Sequence, residues 1–427
     1  MNPANAARAL LARALLVLFL AASAALPDPQ GTVTGADGVV RVRNPAQPAL
    51  PDLALELEEL WRIGGDSEAA GEFFGVIVDI AVDPSGDVYL LDRQLAEVKV
   101  FTRDGEFLRT IGREGGGPGE FRQPGALFFM PDGNVAVVQA RPSGLVLLTK
   151  QGEPADEFPI PGPEEGGFRV LQRGLFRGGS LVLHGNNFSF HAGRIERSHR
   201  LVRMDMQGRQ VATFHEATSR MDMANVVIRE RDGSGYPWTV APNGAVLASL
   251  DFGYTIHVWG PDGRLQRIIE REYEPLMRSP REMDRLKQRL GSRPRRHGRR
   301  GSPKVEVSDR DRDIRWMEVT DSGHVWVLSS RGAKRAPEGA LGTFDVFDAQ
   351  GRFQQRVTLA GEGDFEEDRF ILVADRLFVV TQFAAAVRAM MGSAPEDDED
   401  VDDAEPMAVI CYRFDWTPPR AVAAPSQ

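Results

Sequence analysis

Short apolar runs separated by polar turns recur along the chain, and their spacing decides which elements they predict. In the clearest stretch, Val78-Asp79-Ile80-Ala81-Val82 reads as a strand that ends at the turn Asp83-Pro84-Ser85-Gly86. Proline presets φ at the first corner of such a turn, and glycine supplies positive φ near its end. Val88 to Leu91 gives a second strand. Glu97-Val98-Lys99-Val100-Phe101 alternates polar and apolar positions, as a half-buried outer strand does. Arg103-Asp104-Gly105 makes a hairpin turn of the Asp-Gly kind, and Phe107 to Ile111 is the fourth strand.

This four-strand pattern repeats. Ile63-Gly64 … Gly71-Glu72-Phe73 returns as Ile111-Gly112 … Gly119-Glu120-Phe121, shifted by 48 (112 − 64), and a fainter copy ends at Gly167-Phe168. The two turn glycines lie 19 apart (105 − 86) at Gly86 and Gly105, again at Gly133 and Gly152, and again at Gly244 and Gly263. Two units stretch the interval, Gly179 to Gly208 and Gly323 to Gly351, and their extra residues are assigned to the loop between second and third strands. The least regular unit runs from Phe370 to Val373, turns at Ala374-Asp375-Arg376, and continues through Leu377 to Val380 and Met407 to Phe414. A fixed period in this range marks units that bury their apolar faces only against neighbours. The prediction is an all-β, six-bladed β-propeller. Leu57 to Ile63 carries an outer-strand end with no preceding strands, and the last unit runs out of chain near Asp415. The N-terminal strand is therefore expected to complete the last blade, which removes both open edges.

The Asp-Pro-x-Gly turns, x-Asp-Gly turns and Ile-Gly … Gly-Glu-Phe connectors together resemble the six-bladed propellers of the NHL-repeat type found in bacterial envelope proteins. The resemblance spans Leu53 to Trp416. It implies the fold and a spread of roles: interaction modules, sugar or peptide binders, and a few metal-dependent lyases. A fold of this kind does not fix the function.

Outside the repeats, Arg8 and Arg13 precede the apolar run Ala14 to Leu20, and Ala22-Ser23-Ala24 offers small residues for cleavage. Residues 1–25 therefore read as a secretory signal, too short for a membrane span, and the protein is expected in the periplasm or outside the cell. Residues 26–52 read as a flexible leader, 53–416 as the propeller and 417–427 as a disordered tail. Two insertions, about 272–312 and 382–406, interrupt the blades. The first opens with a capping box, Ser279-Pro280-Arg281-Glu282, and a helical face of Met283, Leu286 and Leu290. It continues as an arginine-rich loop over 293–304. The second is a short helix, Phe383 to Met391, followed by the carboxylate run Glu396 to Glu405. That run lacks the spacing of a calcium loop. The net charge, 51 − 61 = −10, removes nucleic acid as a default partner, because phosphates need a basic face. The one cysteine, Cys411, lies in an apolar strand and reads as a small buried hydrophobe.

Chemistry is expected on the face formed by loops between second and third strands. Those loops offer Asp92, Arg93 and Gln94; Gln139 and Arg141; His184, Asn186 and Asn187; Asp251 and Tyr254; Ser330 and Arg331. Such a ring suits an anionic or sugar ligand, since the arginine fork holds an anion through two parallel hydrogen bonds; ordinary strand-end polar residues would look the same. His184, His191 and His199 share one stretch and would offer three imidazoles to a metal, but their spacings of 7 and 8 match no short metal motif. The chain has no Gly-x-Ser-x-Gly elbow, His-Glu-x-x-His pair or phosphate loop, and Gly115 to Gly119 occupies a connector position. The reading is an extracytoplasmic propeller that binds a small molecule, a peptide or an envelope protein through its loop face or central funnel, with no cofactor. The competing reading is a metal-dependent lyase or hydrolase centred on His184.

Overall fold

The computed structural model describes residues 32–417 apart from 37, 68, 70, 157, 164–166, 192–193, 223–225, 233–234, 292–302 and 392–404. The expected signal segment, most of the arginine-rich loop and of the expected C-terminal tail, and nearly all of the acidic run lie outside the described residues. The chain begins with β1 (Thr32–Ala36), β2 (Val39–Asn44), β3 (Leu53–Glu56) and β4 (Glu58–Gly64). Six blades follow. Blade 1 holds β5 (Ile77–Val82), β6 (Val88–Asp92), β7 (Glu97–Phe101) and β8 (Phe107–Ile111). Blade 2 holds β9 (Pro124–Phe129), β10 (Val135–Gln139) and β11 (Gly144–Leu148). Among the described residues its outer position carries isolated bridges at Pro154 and Phe158, since proline has no N–H for a ladder.

Blade 3 holds β12 (Phe168–Arg177), β13 (Ser180–His191), β14 (Arg194–Met204) and β15 (Gln210–Asp222). After β16 (Val227–Arg229), blade 4 holds β17 (Trp238–Val240), β18 (Val246–Ala248), β19 (Thr255–Trp259) and β20 (Leu265–Arg271). Helix α1 (Pro280–Gly291) and β21 (Lys304–Glu306), parallel to β16, precede blade 5. Blade 5 holds β22 (Ile314–Val319), β23 (Val325–Ser329), β24 (Ala340–Phe347) and β25 (Phe353–Ala360), with α2 (Ser330–Lys334) between its second and third strands. Blade 6 holds β26 (Arg369–Val373), β27 (Arg376–Val380) and β28 (Ala408–Arg413), with α3 (Phe383–Met390) after β27.

The last blade is closed by β4, which pairs antiparallel with β28 from Glu58↔Arg413 to Gly64↔Ala408. Trp61 on β4 then donates from Nε1 to the Arg103 carbonyl at 2.9 Å and lies against the Gly105 turn, which ties the outer edge of blade 6 to blade 1. Between blades the sheets bury their facing sides: Tyr89, Val98 and Val100 of blade 1 pack with Leu127, Val135 and Val137 of blade 2. Each such buried aliphatic side chain contributes about 1.5–3 kcal/mol, so stability rests on interfaces between successive units.

Two sequence expectations change. The expected leader, residues 26–52, carries strands: β1 pairs with β2, which adds parallel to the outer edge of blade 4. Asn44 fixes it there by donating to the Glu270 and Gly351 carbonyls (3.0 and 2.9 Å) and accepting from Phe353 N–H at 2.9 Å. The reason is edge satisfaction: β20 and β25 would otherwise leave open ladders, and β2 and β3 cover them in parallel. The extra residues of blade 3 form no loop either. They lengthen all four strands, so this sheet overhangs its neighbours, with register running from Ser180↔Arg177 to Phe188↔Phe168. Helix α1 shows the expected capping box, Ser279 N–H donating to Glu282 Oε2 at 2.8 Å and Glu282 N–H to Ser279 Oγ at 3.3 Å.

Candidate functional site: the mouth of the central channel

The innermost strands β5, β9, β12, β17, β22 and β26 pack on one another around the propeller axis. Side chains alternate along a strand, so every second one on these strands faces the axis. In β5, β12, β22 and β26 that position carries charge: Asp79, Arg173, Glu318 and Arg369 all line one cavity of about 280 Å³. Trp238, Trp316, Phe365 and Phe383 form its aromatic walls, and α3 contributes Phe383 at its upper rim.

One end of the channel is cross-linked. Arg177 donates to the Val319 carbonyl at 2.6 Å, to the Val240 carbonyl at 3.2 Å and to Asp321 Oδ1 at 2.5 Å. Glu318 sits 3.6 Å from Arg177 and accepts from the Thr239 hydroxyl. Arg177 thus ties two carboxylates, Asp321 and Glu318, at that end.

The charges at the other end are not tied in this way. Arg173 donates to the Trp238 carbonyl at 3.1 Å and stacks over the indole, 4.8 Å from its centroid. Arg369 lies 5.2 Å over the Phe383 ring, and its Nε is buried without a hydrogen-bond partner. Asp79 accepts from Leu127 N–H through Oδ2 at 2.9 Å. Among the described residues, no carboxylate reaches ion-pairing distance of Arg369 or Arg173. Burial, opposed by the Arg369 and Arg173 charges, pushes the Asp79 carboxyl above its ordinary range. Burial likewise lowers Arg369 despite the attraction of Asp79. A buried charge without a partner is costly, and such unrelieved groups cluster where a ligand or reaction uses them.

The residues expected to bind ligand serve other ends. Asp92 is fully buried and accepts four backbone N–H bonds, from Gly75, Val76, Gln94 and Leu95 at 2.7–3.1 Å. Gln139, 47 residues on, staples the equivalent loop of blade 2 by accepting from Arg122 N–H at 2.7 Å and donating to the Pro142 carbonyl at 2.8 Å. Tyr254 lies in the core instead of an exposed loop; its hydroxyl donates to Asp345 at 2.7 Å, and Arg271 holds the same carboxylate at 2.5 Å. Arg331 is held by the Glu274 carbonyl and carboxylate, both at 2.7 Å, and Ser330 by Tyr273 at 2.9 Å. Asp251 is exposed and caps its own turn through Gly253 N–H at 2.9 Å. Arg141 is exposed, 5.3 Å over the Phe168 ring. Arg93 is half-buried, its guanidinium lowered by burial. Gln94 is exposed. None of these lines the channel cavity.

The histidines converge differently from expectation. His184 and Asn186 lie on the overhanging strand β13 and are buried. His184 Nε2 is 3.0 Å from His199 Nε2, and both rings pack edge-on to Tyr236, as does His215. His191 sits at the hairpin tip, paired with Arg194, seven residues along the strand from His184. The trio brought together is thus His184, His199 and His215. Among the described residues, no three His, Cys, Asp or Glu side chains are placed to share a metal ion. Burial, with the neighbouring imidazole and Arg173 charges, pushes His184 down to about 3, and burial with His215 and Arg197 pushes His199 to about 4. These are neutral structural rings that back the channel wall through Tyr236 and Trp238.

A larger cavity, about 680 Å³, lies on the opposite face of the overhang and includes Arg169, Asn187, Arg200 and Glu216. Its charges are already engaged: Arg169 donates to Asn187 Oδ1 at 3.0 Å and to the Pro161 carbonyl at 2.8 Å, and Arg200 lies 3.4 Å from Glu216. Volume favours this groove, while the channel is favoured by Arg369, which unlike Arg200 has no carboxylate within ion-pairing distance among the described residues. Charge decides, because it states what a ligand must bring.

The charged channel residues were missed by sequence reading. The available signal was a charge inside an apolar first strand, as in Val78-Asp79-Ile80 and Trp316-Met317-Glu318.

The family comparison agrees with the architecture. A family model described as DUF5128, 6-bladed beta-propeller, matches residues 75–141. No curated protein matches the chain. Among solved structures, similar folds include a member of the duf4221 family from Bacteroides vulgatus at 12% identity, covering 84% of this chain and 97% of that one with a TM-score of 0.46. Virginiamycin B lyase from Staphylococcus aureus is 8% identical, covering 82% of this chain and 98% of that one, with a TM-score of 0.39. A calcium-binding regucalcin from Agrobacterium tumefaciens is 14% identical, covering 86% and 98%, with a TM-score of 0.41. The chain is a six-bladed β-propeller. No described helix is long and apolar enough to cross a membrane.

Proposed function

We propose that this protein is an exported binding propeller that holds a small ligand bearing a carboxylate in the mouth of its central channel. The observation that carries this reading is Arg369: its guanidinium lines the cavity, its Nε is buried with no partner, and no protein carboxylate pairs with it. Arg173 lines the same cavity with one hydrogen bond to protein, so both forks have N–H groups to offer. Two guanidiniums and flanking aromatic rings recognise a carboxylate by charge, by paired hydrogen bonds and by apolar contact. The cavity of about 280 Å³ lies just below the usual range of ligand pockets, roughly 300–1,000 Å³, and so suits a small ligand. Export rests on the N-terminal sequence pattern, Arg8 and Arg13 before an apolar run and a small-residue site.

A thermal-shift screen of small carboxylic acids tests this reading, run in parallel on the native protein and on Arg369→Met. Acids that raise the native melting temperature should leave the variant unmoved. Equal shifts in both proteins would overturn the assignment.

A further inference from the structure

The channel mouth holds negative as well as positive groups, and their balance narrows the ligand further; this step rests on the carboxylate reading above. Of the charged residues lining the cavity, Arg315 is paired with Glu366 at 3.1 Å, and Glu318 belongs to the Arg177 cross-link. That leaves Arg173 and Arg369 against Asp79 and Asp368. The sum is 2 − 2 = 0. Asp368 receives Asp364 N–H at 2.7 Å and Gln382 N–H at 2.9 Å. Asp79 accepts from Leu127 N–H through Oδ2, the Ile80 N–H also acts on its carboxylate, and no cationic side chain reaches ion-pairing distance among the described residues.

A ligand carrying only a carboxylate would relieve the arginines but add a negative charge to a neutral, confined site beside two carboxylates. At short range and reduced dielectric such a mismatch disfavours binding. A ligand that carries a cation together with its anion adds no net charge and satisfies both sets. We infer that the channel mouth selects a small zwitterion, an α-amino acid with an apolar side chain, whose carboxylate meets Arg369 and Arg173, whose ammonium meets Asp79, and whose side chain lies between Trp238, Trp316 and Phe383.

The opposing groups are kept from neutralising each other by geometry. Arg369 is stacked on Phe383 and Arg173 on Trp238, while the Asp79 carboxylate is anchored to the next blade through Leu127. Donor and acceptor line one cavity without closing into an ion pair, which leaves both to a bridging ligand. Such preorganisation lowers the ordering cost of binding. The cavity volume points to a single amino acid, and a dipeptide of the same side chain serves to separate free amino acids from peptide ends as the source of this chemistry.

Isothermal titration of the full chain with L-phenylalanine, N-acetyl-L-phenylalanine, L-phenylalaninamide and the dipeptide Phe-Phe tests the inference. L-phenylalanine should bind at least tenfold more tightly than the acetylated acid, the amide and the dipeptide. Asp79→Asn should erase the preference over the acetylated acid, and Arg369→Met should abolish binding of both acids. Equal binding of the acid and its N-acetyl form by the native protein, with both lost in Arg369→Met, would overturn the zwitterion and leave the carboxylate reading standing. Tighter binding by the dipeptide would replace the free amino acid by a peptide. Binding of these acids that is indifferent to Arg369→Met, or no binding of any of the four probes, would overturn the inference; the former would overturn the carboxylate reading with it. The ligand series on the native protein needs no variant to fold.

Discussion

Asp79 and Arg369 stand on the innermost strands of adjacent blades and line one cavity without closing into an ion pair. Each is driven toward its neutral form by burial, and each feels the other's charge. A propeller that needed only rigidity would fill these positions with apolar side chains, which pack without desolvation cost. The arrangement has the character of strain stored where a ligand relieves it.

Arg369→Met follows from this first. Removing a half-buried charge that has no carboxylate partner, while keeping an aliphatic chain over Phe383, should leave the melting temperature of the free protein unchanged or higher. A fall of more than about 5 °C, which corresponds to roughly 4 kcal/mol in a protein of this size, would show that the guanidinium has a stabilising partner.

Asp92→Ala should act in the opposite way. Four backbone N–H groups at the top of blade 1 lose a buried acceptor, and each unsatisfied group costs about 1–3 kcal/mol before relaxation. The expected loss in urea unfolding is about 3 kcal/mol, with ligand affinity retained in the folded fraction. Unchanged stability with lost binding would return Asp92 to the ligand site.

Acid should loosen blade 3. His184 and His199 have folded pKa values of about 3 and about 4, against about 6.5 when unfolded. The unfolded chain therefore binds more protons below pH 6.5, and stability falls as pH drops from there toward 4. Melting temperatures measured from pH 7 to pH 4 should decline, and His199→Gln should flatten that decline. An unaltered slope in the variant would mean that other groups carry it.

The outer additions matter to stability as well. Asn44→Ala leaves Phe353 N–H and two carbonyls unpaired at a buried corner and should cost about 1–3 kcal/mol. A chain starting at Pro51 should melt below one starting at residue 31, because it loses β2 altogether. Coincident melting curves would show that β2 contributes nothing to blade 4.

Much of the ring was legible before any coordinates. The turn glycines at 86, 105, 133, 152, 244 and 263 all adopt the positive φ that their spacing implied, since turn chemistry is local and leaves a local trace. The pairing of β4 with β28 was legible from a missing set of strands. Residues 39–56 were not, because a strand added in parallel to an outer edge is specified by distant partners such as Gly351 and Phe353. His184 and Asn186 were placed in a loop because β13 and β14 overhang their neighbours, so polar residues occur on both faces and the period-2 signal disappears. Asp79 and Arg369 were hidden for a related reason. A channel position is buried from bulk water yet polar, so its strand looks like a core strand with one flaw.

The most direct measurement is a crystal structure of the protein soaked with the carboxylic acid that gives the largest thermal shift. The carboxylate should lie between Arg173 and Arg369, with the rest of the ligand against Trp238 and Phe383. Ligand density in the blade 3 groove at Arg169 and Arg200, with an unchanged channel, would contradict the account.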